Sequence, residues 1–306
     1  MMENENMTEQ KIIKGKAEQI IGKIFLESGI EIASKIKAKS IFLYADLIND
    51  YKLLKELSKM DEVVFVTKNK ELFHKSVEIE KNVLDIPVVE FTRIGLIKIA
   101  VMKGLSSGIV KNADKIVFIT GTHKMGYFDT IVVVDIGKEF EILTSSSVPD
   151  IAENLKPEVF EVVLNLSLEL ASQGREGKAV GTIFVIGDHE KVLQLSRQMI
   201  INPFQGYPEE ERNIMDPALR ETIKEFSALD GAFVIRDDGV VMAAGRHLSA
   251  ALEKEDFPHG LGSRHVAAAG ITSVTDAAAI VISESTGDVR IFKNGNIFME
   301  IEKPVK

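Results

Sequence analysis

The sequence predicts a two-part α/β protein. The first half should be a three-layer α/β/α domain with a mostly parallel sheet, and the second an α+β domain around a mixed central sheet. Three observations carry this. In the first half, short β-rich runs that are apolar throughout alternate with amphipathic stretches, and continuous apolar strands belong to parallel sheets buried on both faces. In the second half, short strands are joined by tight turns such as Asp-Asp-Gly, a favoured hairpin connection. Between the halves lies TSSSVPDIAENLKP, from Thr144 to Pro157, whose serines, two prolines and lack of hydrophobic period read as a linker. The expected domains are therefore residues 1–147 and 155–306.

The first half should open on a helix from about Gln10 to Lys37. Strands follow at SIFLYA from Ser40, EVVFVT from Glu62, IPVVEF from Ile86, KIVFIT from Lys115 and TIVVVDI from Thr130, with amphipathic helices over Leu53–Met60 and Ile94–Leu105. GTHKMG, from Gly121, spaces two glycines like a phosphate loop but continues Tyr-Phe instead of Lys-Ser/Thr; it reads as a turn between strands.

Pro157 suits the first turn of a helix whose apolar stripe is Phe160, Val163, Leu164, Leu168 and Ala171, and REGK should end it at a glycine. AVGTIFVIG is a strand, Asp188 is placed to cap a helix reaching Ile200, and INPFQGYPEEERNIMD is a long loop. Asp216 and Pro217 read as the cap and first residue of a further helix. DGAFVIR and VVMAAG form a hairpin, GSRHVAAAG opens the last helix, and AAIVISE, VRIFKNG and NIFMEI are the final strands.

Bulk properties narrow the function. The chain has 306 residues, 45% hydrophobic and 27% charged, which is the composition of a globular protein. A net charge of −9 argues against nucleic acid as a partner, because phosphate backbones require a cationic surface. With no cysteine there is no disulfide, thiolate metal site or cysteine nucleophile, which fits a reducing cytoplasm. The opening MMENENMTEQK has no apolar core of a signal peptide. The most apolar long window, Val266 to Ile282, is interrupted by Thr272, Ser273, Thr275 and Asp276, so no membrane span is expected.

Three stretches carry candidate chemistry. In GLGSRHVAAAGITSV, from Gly260, Gly262 and Ser263 read as turn and N-cap of a helix made of small residues. A helix N-terminus offers unpaired N–H groups and the positive end of the dipole to an anion. Arg264 adds a fork of donors matched to phosphate, and His265 adds another. In isolation the same stretch reads equally as a capped helix with solvated Arg and His. In LDGAFVI, from Leu229, Asp230 precedes Gly231 and Ala232, a carboxylate for a metal next to bare backbone on which a flat base could lie; the plain reading is a turn aspartate. In ISESTGD, Glu284 ends a strand and could be a second metal carboxylate, or simply a solvated one. His247 stands beside Leu248, which offers an apolar surface at the same place. The histidines lack zinc spacing, and there is no nucleophile-elbow serine. Taken together, carboxylates, a helix N-terminus with Arg and His, and small residues describe a nucleotide-triphosphate site without a phosphate loop.

From about Lys156 to Glu302 the chain resembles the diadenylate cyclase domain. The resemblance rests on LELASQGREGKAVGTIFVIGD, NPFQGY, LDGAFVI, GSRHVAA and ISESTG, in that order. Asp230, Gly231 and Ala232 match that family's Asp-Gly-Ala motif. Arg264 and His265 match two positions of its Arg-His-Arg motif, Ser263 stands for threonine before it, and Val266 replaces the second arginine. The resemblance implies condensation of two ATP molecules to cyclic di-AMP with release of two pyrophosphates, and dependence on Mn²⁺ or Mg²⁺. It implies Asp230 and Glu284 as metal carboxylates, with Asp230 also activating the ribose 3′-OH. Ser263, Arg264 and His265 would hold the phosphates, and Gly231, Ala232 and Leu248 would lie at the nucleotide. Because two ATP molecules must attack each other, a homo-oligomer with facing catalytic domains is expected. The rival readings are a nucleotide-binding sensor on the same fold and a structural assembly protein. The first half resembles the C-terminal domain of pyruvate kinase, through ADKIVFITGTHKMG and its strand order, which implies a scaffold, an oligomerisation surface or a regulatory domain.

Overall fold

The structure, a computed structural model, describes residues 2–69, 71, 73, 82–122, 125–138, 155–175, 177–250 and 260–303, with side chains from residue 18 onward. The chain divides into two compact units, Met1–Ile86 with Ile99–Lys138, and Pro87–Lys98 with Glu139–Lys306. Most of the expected linker, residues 144–154, lies outside the described residues. Among the described residues, no helix is long and apolar enough to cross a membrane.

The elements through residue 135 are α1 (Met2–Ile36), β1 (Ser40–Tyr44), α2 (Tyr51–Leu57), β2 (Val63–Thr67), β3 (Val83–Asp85), α3 (Arg93–Ser106), β4 (Lys115–Thr120) and β5 (Thr130–Asp135). The sheet runs β3-β2-β1-β4-β5, parallel except for the antiparallel β4–β5 pair. Strands β1 and β2 are buried at every position, which is why their sequences do not alternate. Phe42 and Phe118 pair across β1 and β4 with ring centroids 5.9 Å apart, and Gly104 of α3 lies so close above them that a Cβ there would sit 2.9 Å from the Phe42 ring. Gly29 of α1 approaches the next residue of β4, Ile119, more closely still. Consecutive strand residues point to opposite faces, so α1 and α3 cover opposite sides and the expected three layers are present. The third strand differs from expectation. It is Val83–Asp85, not the run from Ile86, because Pro87 has no N–H to donate to a ladder. Gly121 opens the β4–β5 connection where a Cβ would lie 2.1 Å from the Tyr127 carbonyl oxygen, so this glycine serves a tight crossing of the chain; residues 123 and 124 of that loop lie outside the described residues.

The second unit contains α4 (Pro157–Gln173), β6 (Ile183–Ile186), α5 (His189–Gln194), β7 (Ser196–Gln198), α6 (Pro217–Phe226), β8 (Ala232–Ile235), β9 (Val241–Leu248), α7 (Ser263–Val274), β10 (Ala278–Ile282), β11 (Val289–Lys293) and β12 (Asn296–Ile301). Its seven strands run β12-β11-β10-β6-β8-β9-β7. Only β6 and β8 are parallel; the other pairs are antiparallel, so the sheet is mixed. One face carries Ile183, Val185, Ala232, Val234, Ala279 and Val281, packed under Ala268, Ala269 and Ile271 of α7. The alanines let the helix backbone approach the sheet, and Ile271→Ala would open a cavity costing about 2–5 kcal/mol. The opposite face carries Phe184 and Phe233, 5.0 Å apart, with Phe204 bridging Phe233 to Phe226 of α6.

Local rules held at several ends and failed at others. Asp216 caps α6 by accepting from the Ala218 N–H at 2.9 Å. Helix α4 starts at Pro157 but stops at Gly174, earlier than the REGK glycine, because residue 174 is left-handed (φ 66°) and Arg175 and Lys178 close a turn. Asp188 does not cap α5; its carboxylate accepts from the Asp276 N–H at 2.9 Å. The helix it opens ends at Gln194, and the segment expected to remain helical forms edge strand β7, paired with β9. Gly262, not Ser263, is the N-cap of α7, and Ser263 is its first residue.

Candidate active site

Strand direction creates the site. Strands β6 and β8 are parallel and begin level, with Ile183 beside Ala232, while antiparallel β10 ends there, with Val281 beside Ile183 and the Ile282 N–H bonded to the Thr182 carbonyl. The residues just beyond this edge are therefore Gly181 and Thr182 before β6, Asp230 and Gly231 before β8, and Ser283 and Glu284 after β10. Helix α7 brings its first turn to the same edge. The Arg264 guanidinium lies between the two carboxylates, with Nη1 3.0 Å from Glu284 Oε2 and Nη2 3.7 Å from Asp230 Oδ1. Three residues separated by up to 54 positions thus form one charged group. All three remain open to solvent, Asp230 the most, with its side chain 81% exposed.

Gly181 completes the arrangement and was missed by sequence reasoning. A Cβ at this position would sit 2.6 Å from Arg264 Nη1 and 2.7 Å from Glu284 Cβ. The glycine leaves the space in which the guanidinium lies. The only signal in the sequence was a glycine at the mouth of the AVGTIF strand, which strand entry alone explains.

At Gly231 φ is +103° and a Cβ would lie 2.6 Å from the Gly245 carbonyl carbon. The fold needs this glycine for the close approach of β9. Ala232 and Leu248 are likewise buried in the core beneath α7, at the back of the site and not on its surface, because β8 and β9 turn these side chains toward the helix. Ser263 is exposed at the start of α7. His247 is exposed on β9, opposite Arg197, with Nδ1 3.4 Å from Ser249 Oγ.

His265 faces inward, unlike Arg264. It is 5% exposed, its ring centroid is 6.2 Å from that of Phe292, and Nε2 lies 3.1 Å from Nη1 of Arg290 on β11. Burial first, and then the charge of Arg290, push its pKa down to about 4, with the nearby Gly262 carbonyl opposing the shift. The imidazole is neutral at pH 7. Its Nδ1 is buried without a well-formed hydrogen bond.

Among the described residues, no three His, Cys, Asp or Glu side chains cluster to hold a metal ion. Asp230 and Glu284 are two exposed hard-oxygen donors on either side of one cation. That set fits Mg²⁺ or Mn²⁺, which are commonly held by one or two carboxylates together with substrate phosphate.

Residues 169–297 match the family described as DisA bacterial checkpoint controller nucleotide-binding. Residues 22–144 match one described as "Probable sensor domain DacZ_P". A diadenylate cyclase of Methanocaldococcus jannaschii is 34% identical over 304 residues, covering 92% of this chain and 97% of the relative. A diadenylate cyclase of Haloferax volcanii is 38% identical over 208 residues, covering 67% of this chain and 74% of the relative. The cyclic di-AMP synthase CdaA of Bacillus subtilis is 39% identical over 72 residues, covering 24% of this chain and 26% of the relative. Similarity that spans nearly the full length of both chains, over a fold that gathers Asp230, Arg264 and Glu284, places the protein: it belongs to the diadenylate cyclase family.

Proposed function

We propose that this protein is a diadenylate cyclase that condenses two ATP molecules into 3′,5′-linked cyclic di-AMP and releases two pyrophosphates. One observation carries the reading. A guanidinium at the N-terminus of α7 lies between two exposed carboxylates at the edge of the sheet, in a chain whose near full-length relative is a diadenylate cyclase. Anion at the helix end, cation at the carboxylates and an open mouth are what a nucleoside triphosphate requires.

In this reading each 3′-oxygen attacks the α-phosphorus of the other ATP, forming one P–O bond as the bond to pyrophosphate breaks, and each 3′-OH loses a proton. Asp230 activates the 3′-OH, a role its exposed carboxylate beside Arg264 supports. Arg264, Ser263 and the α7 N–H groups hold the phosphates and stabilise charge that develops in the transfer, with His265 behind them. Gly231, Ala232 and Leu248 form the wall behind the nucleotide. A divalent ion, Mn²⁺ or Mg²⁺, would be held by Asp230 and Glu284 and would neutralise phosphate charge. Two identical substrates reacting with each other are served by one geometry used twice across a two-fold axis, so the active form is a homo-oligomer with facing catalytic domains. Residues 155–306 are the catalytic domain, and residues 1–147 a scaffold, oligomerisation or regulatory domain. A cytoplasmic location, where ATP is supplied, fits this reading.

Incubation of the purified protein with ATP and Mn²⁺ tests the proposal. Cyclic di-AMP and pyrophosphate in a one-to-two ratio are expected, with loss of both in Asp230→Asn. ATP binding without turnover would refute it.

A further inference from the structure

We propose that Arg290 is a positioning residue that locks His265 in its Nδ1–H tautomer and so presents a buried donor at the phosphate-holding end of α7. The inference rests on the reading of that helix end as the phosphate site, and on an observation that the cyclase reading does not use.

The logic is that of donors and acceptors. A guanidinium has five N–H donors and no acceptor. With Arg290 Nη1 3.1 Å from His265 Nε2, a proton on Nε2 would face a donor, so Nε2 carries the lone pair. The imidazole is neutral at this depth, and its one ring proton is on Nδ1. That atom is buried without a well-formed hydrogen bond, the Gly262 carbonyl beside the ring being the acceptor that competes for it. A buried donor so poorly paired is unfavourable; here it sits in the first turn of α7, where three other N–H groups also lack helical partners.

Arg290 is itself held. Its Nη2 pairs with the Glu300 carboxylate on β12 and lies 3.5 Å from Asp288 Oδ2, and its side chain is 11% exposed. It stands opposite Val281 in the β10–β11 register, three residues before Glu284. The Phe292 ring, 6.2 Å away, closes on the imidazole from the same strand. Two carboxylates thus orient one arginine, the arginine orients one histidine, and the histidine adds a directed donor one residue after Arg264.

The first test reads the protein alone. Two-bond ¹⁵N–¹H spectra of ¹⁵N-histidine-labelled protein at pH 7.5, assigned with His265→Gln, should show Nε2 unprotonated and Nδ1 protonated. An Nε2–H tautomer or an imidazolium overturns the proposal. The second adds 3′-deoxy-ATP with Mg²⁺, a probe that lacks the attacking hydroxyl. The His265 Nδ1 resonance should shift on saturation, and an unmoved resonance overturns the proposal. The third compares Arg290→Met with Arg290→Lys. The methionine variant should bind the probe about tenfold more weakly and raise KM more than it lowers kcat, while lysine, also a pure donor, should recover most of the affinity. Wild-type affinity in Arg290→Met is the contrary result. If Arg290→Met does not fold, the first two measurements decide. Failure of the cyclase reading is distinguishable: wild-type protein would then shift Nδ1 on binding the probe but yield no cyclic di-AMP from ATP.

Discussion

Gly181→Ala isolates the contact on which the site depends. The position is outside the left-handed region, so alanine adopts its backbone without strain. The new Cβ would meet Arg264 Nη1 at 2.6 Å and Glu284 Cβ at 2.7 Å, against the roughly 3.5–4.0 Å at which carbon atoms rest. Glu284 Cβ is tied to the backbone just past β10 and cannot swing away. The guanidinium can, so it is the group that moves, and the 3.0 Å bond to Glu284 is lost. Losing an ion pair this exposed costs folding about 0–1 kcal/mol, and the overlap with Glu284 Cβ, which only a backbone shift relieves, adds about 1–3 kcal/mol. The cost to the reaction is separate and is read in the folded fraction. A hydrogen bond to a charged group is worth about 1.5–3 kcal/mol, so displacing Arg264 from the phosphates should lower kcat/KM by about 10- to 100-fold. The assay is the initial rate of cyclic di-AMP formation over a range of ATP concentrations, beside a urea unfolding curve. Wild-type kcat/KM in a folded Gly181→Ala protein would refute the view that this glycine makes room for Arg264. So would a loss of activity wholly explained by unfolding.

Other outcomes follow from the same structure. Asp230→Asn should abolish product while leaving the urea midpoint almost unchanged, since the side chain is largely in solvent and surface substitutions shift stability by about 0.5 kcal/mol or less. Gly231→Ala should behave oppositely. Its Cβ meets backbone atoms of Gly245 and Arg246 at a φ of +103°, so a loss of about 2–4 kcal/mol is expected, read as a lower midpoint; a midpoint equal to wild type would contradict the close approach of β9. Asp216→Ala removes the cap of α6 and should cost about 1 kcal/mol without changing kcat. Stability should also depend on pH through His265. Its folded pKa, about 4, lies below the unfolded value of about 6.5, so the unfolded chain takes up the proton first and stability falls as pH drops through that window. Between pH 7 and 5 the loss from this group is on the order of 2 kcal/mol. Urea unfolding at both pH values should show it, and His265→Gln should flatten the difference; an equal slope in the variant would locate the effect elsewhere.

The sequence by itself determined the elements and the chemical inventory. Apolar runs such as VVFVT and KIVFIT could only be buried strands, and Asp216-Pro217 could only open a helix, because these outcomes depend on neighbours within a few residues. The order of motifs around Asp230, Arg264 and Glu284 likewise pointed to a nucleotide site. What it could not decide were roles set by residues distant along the chain. Asp188 looked like a cap, yet it bonds to Asp276, 88 residues away. The third strand and the end of α5 were misplaced because strand pairing, not local propensity, sets where such short elements stop. Gly181 drew no reading and Gly231 read as bare backbone for a flat base; only the packed structure shows that one leaves room for a guanidinium and the other for a neighbouring backbone. Arg264 and His265 are adjacent in the chain, and a helical turn sends their side chains to different surroundings, one toward solvent and the carboxylates, the other into the core against Arg290. Arg290 itself carried no signal, since nothing about an arginine in VRIFK reveals the histidine that β11 brings within 3.1 Å.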